Sequence, residues 1–117
     1  MINEEKSILF IDDEKFILDL VVRIFKTFKI SCTAVSSAEG SLHLNETSFT
    51  HVIIDYNIFD ADIVKLIKTL RDKFSNPFII ITSGDRYESL VEPLRSDNTI
   101  KFLKKPFTSD EILKILD

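Results

Sequence analysis

Five residues with chemically active side chains stand where apolar runs stop: Asp12 and Asp13, Asp55, Ser83 and Lys105. The run His51-Val52-Ile53-Ile54 reads as a strand buried on both faces, and it ends abruptly in the Asp55 carboxylate. Chemistry in open α/β sheets sits at the carboxyl ends of the strands, so a strand-end aspartate is a candidate nucleophile or metal ligand. Two unit charges about 4 Å apart repel by about 4 kcal/mol at an effective dielectric near 20. Three carboxylates in one crevice therefore call for a divalent cation, and an all-oxygen ligand set suits Mg²⁺ or Mn²⁺. Each residue also has a plainer reading. Asp12 and Asp13 could be helix caps, Ser83 a turn residue, and Lys105 a solvated surface lysine. It is their joint placement that points to a site.

That placement depends on the elements between them. Ser7-Ile8-Leu9-Phe10-Ile11 forms a first buried strand, and the acidic residues after it suit a helix N-terminus. The helix that follows runs to about Phe28, with Ile17, Leu20, Val21, Ile24 and Phe28 as its core-facing stripe. Ser31 to Val35 is a more polar strand, consistent with a sheet edge. A short helix follows, capped at Ser36-Ser37, carrying Leu42 and Leu44 and ending around Asn45. After the third strand and the loop from Tyr56 to Asp60, Ile63, Leu66, Ile67, Leu70 and Phe74 mark one face of a helix stopped by Ser75-Asn76-Pro77. Phe78 to Ile81 is a fourth strand, closing with Thr82-Ser83-Gly84. The segment from Asp85 to Ser96 has helical composition, but Pro93 should kink it or cut it short. Ile100 to Leu103 is a fifth strand, ending at Lys104-Lys105-Pro106. Thr108 or Ser109 then caps a last helix with Ile112, Ile115 and Leu116 facing inward.

Strands alternating with helices through short connections predict an α/β fold, a five-stranded parallel sheet with helices on both faces. At 117 residues the chain is one domain. We expect a single domain over 1–117, with its core about 7–116 and no output domain in this chain. The net charge of −4, without a basic run, argues against direct nucleic-acid binding. The single cysteine, Cys32, permits no internal disulfide and fits a reducing compartment. The segment from Met1 to Lys6 lacks signal-peptide character, and no apolar run is long enough to span a membrane, so a cytoplasmic location is expected. With only Gly40 and Gly84, neither a GxGxxG nor a GxxxxGK[ST] phosphate loop can be written, which excludes nucleotide binding of those two kinds.

Four segments carry a family resemblance: Ile11-Asp12-Asp13-Glu14, Ile54-Asp55 with Asn57 two residues on, Ser83-Gly84, and Lys105-Pro106-Phe107. Together, and at these spacings, the chain resembles a response-regulator receiver domain, the phospho-accepting module of two-component signalling, over residues 7–116. The resemblance implies a flavodoxin-like (βα)5 fold with strand order 2-1-3-4-5. It implies that Asp55 takes a phosphoryl group from a phosphohistidine donor, and that Asp13 binds Mg²⁺ directly while Asp12 acts through water. The Asn57 backbone carbonyl and Asp55 complete the metal shell. By the same resemblance Ser83 is the switch hydroxyl, Lys105 pairs with phosphoryl oxygen before a Pro106 bond that is often cis, and Phe102 is the aromatic that rotates inward. The implied partners are a histidine kinase or histidine phosphotransfer protein and, through the helix 4–strand 5–helix 5 face, a downstream protein or a second copy. No enzyme activity is implied beyond the chain's own phosphorylation and dephosphorylation. The chemistry is coherent, because phosphoryl transfer needs positioning and charge neutralisation more than covalent help.

Some positions depart from the family pattern. Ile58, Phe59 and Ile63 stand where Met-Pro and a later Gly are usual, Asn98-Thr99 where Gly-Ala is usual, and Pro93 interrupts the fourth helix. These bear on the loop after Asp55 and on the fourth-helix surface, not on the five chemical positions. Two alternatives follow. One is a degenerate receiver that binds partners without phosphorylation. The other is a haloacid-dehalogenase-type phosphatase, although that family wants Asp-x-Asp after the first strand and Glu14 stands two after Asp12.

Overall fold

The computed structural model describes residues 5–117, so the first four residues of the N-terminal segment read above lie outside it. The strands are β1 (Ser7–Ile11), β2 (Ser31–Val35), β3 (His51–Asp55), β4 (Phe78–Ser83) and β5 (Ile100–Lys104). The helices are α1 (Lys15–Thr27), α2 (Ala38–Leu42), α3 (Ile63–Lys73), α4 (Glu92–Arg95) and α5 (Ser109–Lys114), with a 3-10 turn at Tyr87–Ser89 before α4. All strand pairs are parallel, and the order is β2-β1-β3-β4-β5.

Side-chain alternation along each strand sorts the sheet into two cores. Leu9, Ile11, Val52, Ile54, Ile79 and Ile81 pack toward α2, α3 and α4. Ile8, Phe10, Ile53, Ile80 and Leu103 pack toward α1 and α5. Every residue of β3 is buried, as expected of the central strand. Burial pushes the Cys32 thiol up to about 12, which suits a structural cysteine.

The helices differ from the sequence reading in three details, although α1 ends at Phe28 as expected. In α1 the buried residues are Val21 and Phe25, while Phe28 is 54% exposed. Phe28 is the C-cap, and the chain turns there: Lys29 takes φ 58° and the Ile30 N–H reaches back to the Phe25 carbonyl. The second helix stops at Leu42, not Asn45, and its cap is Ser37. The segment around Pro93 is cut short as expected, to a four-residue α4, but Pro93 stands in the first turn of that helix, where its missing N–H costs nothing, rather than at its end. Ser75-Asn76 ends α3 as expected, both residues having positive φ. Thr108 is the α5 cap, within a capping box completed by Glu111.

At the opposite end of the sheet from Asp55, His51 ties β3 to the chain just after α5. Its Nε2 lies 2.9 Å from the Leu116 carbonyl oxygen, and its Nδ1 lies 2.8 Å from the Thr50 hydroxyl. A carbonyl can only accept, so Nε2 carries a proton. Burial lowers the His51 pKa, opposed by the Leu116 carbonyl, and Lys6 and Lys101 add to the lowering. The unfolded state then takes up a proton first, so His51 contributes fully above about pH 6.5 and loses that contribution as pH falls below it. Chemical denaturation at a series of pH values between about 7 and 5.5 should show wild-type stability falling relative to His51→Gln.

Candidate functional site

The carboxyl ends of β1, β3 and β5 converge. Asp12 extends the β1–β2 ladder by donating its N–H to the Val35 carbonyl, and its side chain is fully buried. Asp55 ends β3 and is 5% exposed. Lys105 follows β5, positioned by its own N–H on the Ser83 carbonyl at 2.8 Å. One carboxylate oxygen from each of Asp12, Asp13 and Asp55 lies within 4.8 Å of the other two.

Among the described residues one ammonium meets two of these carboxylates and a neighbouring glutamate. Lys105 Nζ donates to Asp12 Oδ2 at 2.7 Å and lies 3.6 Å from Asp55 Oδ2 and 3.4 Å from Glu14 Oε1. The other Asp12 oxygen accepts the Glu14 N–H at 2.9 Å, so Asp12 caps a turn before α1 rather than the helix itself. Burial favours a neutral lysine, but the hydrogen bond and charge of Asp12, with Asp55 and Glu14, outweigh it and raise the Lys105 pKa. Asp55 is pushed above the ordinary carboxylate range, first by burial and then by Asp12 and Asp13; Lys105 and the Asn57 N–H oppose this. Negative charge is thus in excess. Three close oxygens with one cation among them form a donor set that fits a hard divalent ion.

The remaining expected positions lie around this cluster. Asn57 N–H reaches Asp55 Oδ1 at 3.4 Å. Ser83 is buried, and its hydroxyl accepts the Asp85 N–H at 3.0 Å rather than bonding Asp55. Phe102 is half-buried against the α2–α3–α4 core, edge-on to Tyr87 with centroids 5.9 Å apart. It pairs in register with Ile81, two residues before Ser83. The Lys105–Pro106 peptide bond is cis.

Three contributors were not singled out from the sequence, and a fourth, Thr82, was read there only as a strand-end hydroxyl. Glu14 shares Lys105, and its position directly after the acidic pair was the available signal. In the loop after Asp55, both Asp60 oxygens accept N–H groups from the first turn of α2, Ala38 at 2.9 Å and Glu39 at 3.0 Å. Tyr56 hydroxyl accepts the Val91 N–H. Thr82, the register partner of Asp55, is fully buried, and its hydroxyl has no partner among the described residues. An unpaired buried hydroxyl costs on the order of 1–3 kcal/mol. The near-isosteric Thr82→Val should accordingly raise stability by about 1 kcal/mol in urea denaturation.

The departures in the Asp55 loop are also accommodated. Ile58 is buried in the core, Phe59 is 70% exposed, and Asp62 caps α3 by accepting the Lys65 N–H.

Comparison with known proteins agrees with this geometry. Residues 8–117 match the response regulator receiver domain family. The regulatory protein VirG of Rhizobium rhizogenes is 30% identical over 110 residues, 92% of this chain and 45% of that protein. VirG of Agrobacterium tumefaciens (strain 15955) is 28% identical over 92% of this chain and 41% of that protein. The chain thus spans less than half the length of these curated relatives. A CheY-like receiver domain from Methanospirillum hungatei JF-1 superposes with a TM-score of 0.81 at 22% identity, covering 97% of this chain and 91% of that one. A response regulator from Burkholderia pseudomallei, solved with a phosphorylated aspartic acid, a calcium ion and citrate, superposes with a TM-score of 0.80 at 21% identity. It is covered over 66% of its length and covers 96% of this chain. With the family match extending over nearly the whole sequence and the strand-end acidic cluster in place, the chain belongs to the receiver domains of two-component response regulators.

Proposed function

We propose that Asp55 is the phospho-acceptor of this receiver and that residues 7–116 act as one signalling unit. The observation that carries this reading is the approach of the Asp12, Asp13 and Asp55 carboxylates to within 4.8 Å, with the Lys105 ammonium 3.6 Å from Asp55. In the proposed step an Asp55 carboxylate oxygen attacks the phosphorus of a phosphohistidine, forming an acyl phosphate. The phosphorus–nitrogen bond breaks, and its electron pair leaves with the imidazole, which gains a proton. The donor is a histidine kinase or a histidine phosphotransfer protein. Chemistry is confined to making and losing this acyl phosphate on the chain's own aspartate.

Asp12, Asp13, Asp55 and the Asn57 backbone carbonyl would hold Mg²⁺, or Mn²⁺. When bound, the ion neutralises charge on the phosphoryl oxygens. Lys105 is held ionised by its acidic neighbours and supplies a second positive charge to those oxygens. Ser83 can exchange the Asp85 N–H for a phosphoryl oxygen by rotating its hydroxyl. Space vacated by Ser83 lies diagonally across from Phe102, whose inward movement would change the α4–β5–α5 face, where a downstream protein or a second copy docks. Among the described residues no helix is long and apolar enough to cross a membrane, which supports action in the cytoplasm.

Acetyl phosphate with Mg²⁺ should add one phosphoryl group by intact-mass measurement, and Asp55→Ala should abolish it. Undiminished labelling of that variant would rule out Asp55 as acceptor. Metal binding has its own readout. Millimolar Mg²⁺ should raise the wild-type Tm, since a ligand specific to the native state stabilises it. Asp13→Asn should raise the metal-free Tm by relieving repulsion and should shrink the Mg²⁺ response. A Tm indifferent to Mg²⁺ would count against a metal at this cluster.

A further inference from the structure

The segment between β4 and α4 is fastened at both ends by side-chain hydroxyls of residues that adjoin the acidic site in the chain or the sheet. At its start Ser83, the last residue of β4, accepts the Asp85 N–H at 3.0 Å. At its end Tyr56, the residue immediately after Asp55, accepts the Val91 N–H at 3.0 Å. Val91 is the N-cap of α4 and has no side-chain cap of its own, while its carbonyl accepts the N–H groups of Leu94 and Arg95. Four residues cannot hold a helix by backbone bonding alone. Besides the burial of Leu90 and Leu94, α4 is therefore positioned by what grips its ends. The second grip is Tyr87, whose hydroxyl donates to the Arg95 carbonyl and whose ring stands edge-on to Phe102.

Tyr56 is placed to transmit movement. Its N–H donates to the Thr82 carbonyl at 2.8 Å, so its backbone continues the β3–β4 ladder directly beyond Asp55. Alternation sends the Asp55 side chain to one face of the sheet and the Tyr56 ring to the other, where it packs against the α2–α3–α4 core. A change at Asp55 and a shift of α4 are thus separated by one peptide unit, one ring and one hydrogen bond.

We propose that Tyr56 is a positioning residue through which the state of Asp55 sets the position of α4, by a route that does not pass through Ser83 or Phe102. The inference rests on the acceptor reading of Asp55. Adding a phosphoryl group at Asp55 re-seats the end of β3, and the Tyr56 hydroxyl then holds or releases the Val91 N–H. α4 has two positions, and this hydrogen bond is part of the difference between them.

Amide NMR and hydrogen exchange with and without beryllofluoride and Mg²⁺ test the route, in wild type, Tyr56→Phe and Ser83→Ala. The phenylalanine variant keeps the ring and its packing and removes only the hydroxyl. In wild type the Val91 amide should change its protection when beryllofluoride binds. Free Tyr56→Phe should lose about fivefold of Val91 protection, the size of one ordinary hydrogen bond. Its beryllofluoride-induced shifts at Glu92, Leu94 and Arg95 should fall below half of the wild-type values, while those at Asp13, Asn57 and Gly84 persist. Ser83→Ala should retain the Tyr56-dependent part of the α4 response. Full α4 shifts in Tyr56→Phe alongside normal pocket shifts would overturn the route and leave the acceptor reading intact. No pocket shifts in wild type would overturn both. Unchanged Val91 protection in wild type would overturn the route without reference to any variant.

Discussion

One ammonium governs the pocket. Lys105 is the positive charge among Asp12, Asp55 and Glu14, and its contacts with them are unequal: a short hydrogen bond to Asp12 and looser approaches to the other two. Burying charges costs several kcal/mol per ion even when they are paired, so such a cluster is poor stabilising material. Its presence at the rim of a sheet otherwise packed with isoleucine and leucine is a cost set against packing. The acidic excess makes the crevice attractive to positive charge, and the lysine fixes one oxygen of Asp12.

The scaffold makes this imbalance tolerable. The sheet is closed to water on both faces by the two cores, and backbone bonds continue past the formal strand ends at Asp12, Tyr56 and Lys105. Those extra ladder bonds hold the charged residues in position where the sheet opens to solvent. The loops around them are tied as well. Asp60 binds the start of α2, Asp62 caps α3, and Ser83 closes the turn to Asp85. Hydrogen bonding to Ala38 and Glu39 outweighs what burial does to Asp60 and keeps its carboxylate below the usual range. That loop is therefore held by an ionised group under ordinary conditions.

The sequence made the sheet and the pocket legible for the same reason. Short β-branched runs such as Val52-Ile53-Ile54 and Ile79-Ile80-Ile81 read as strands buried on both sides, and the polar residue that ends each run then lies at the rim. The buried face at the end of α1 and the end of α2 were less legible. Phe28 has the right spacing for the core, yet as the C-cap of α1 it is exposed. Pro93 read as a break because its position within the helix was unknown; in the first turn it is a start. Contacts between distant loops were illegible. Nothing local to Asp60 announces that its partners are Ala38 and Glu39, nor does Tyr56 announce Val91, because hydrogen bonds across such separations have no periodicity. Thr82 was visible as a strand-end hydroxyl, but its lack of a partner is a property of the packed structure alone.

The ion pair between Asp12 and Lys105 also spans 93 residues of chain. During synthesis the two earlier acidic positions leave the ribosome long before the lysine does. β5 pairs only with β4, and Lys105 lies just beyond β5, so the pocket cannot close until nearly the whole domain has emerged. Local contacts form early and distant ones late, because loop closure must come before the contact that rewards it. A nascent or truncated chain that has made β1 through β4 holds the carboxylates without their cation. Competence to accept a charged group is thereby a mark of complete folding.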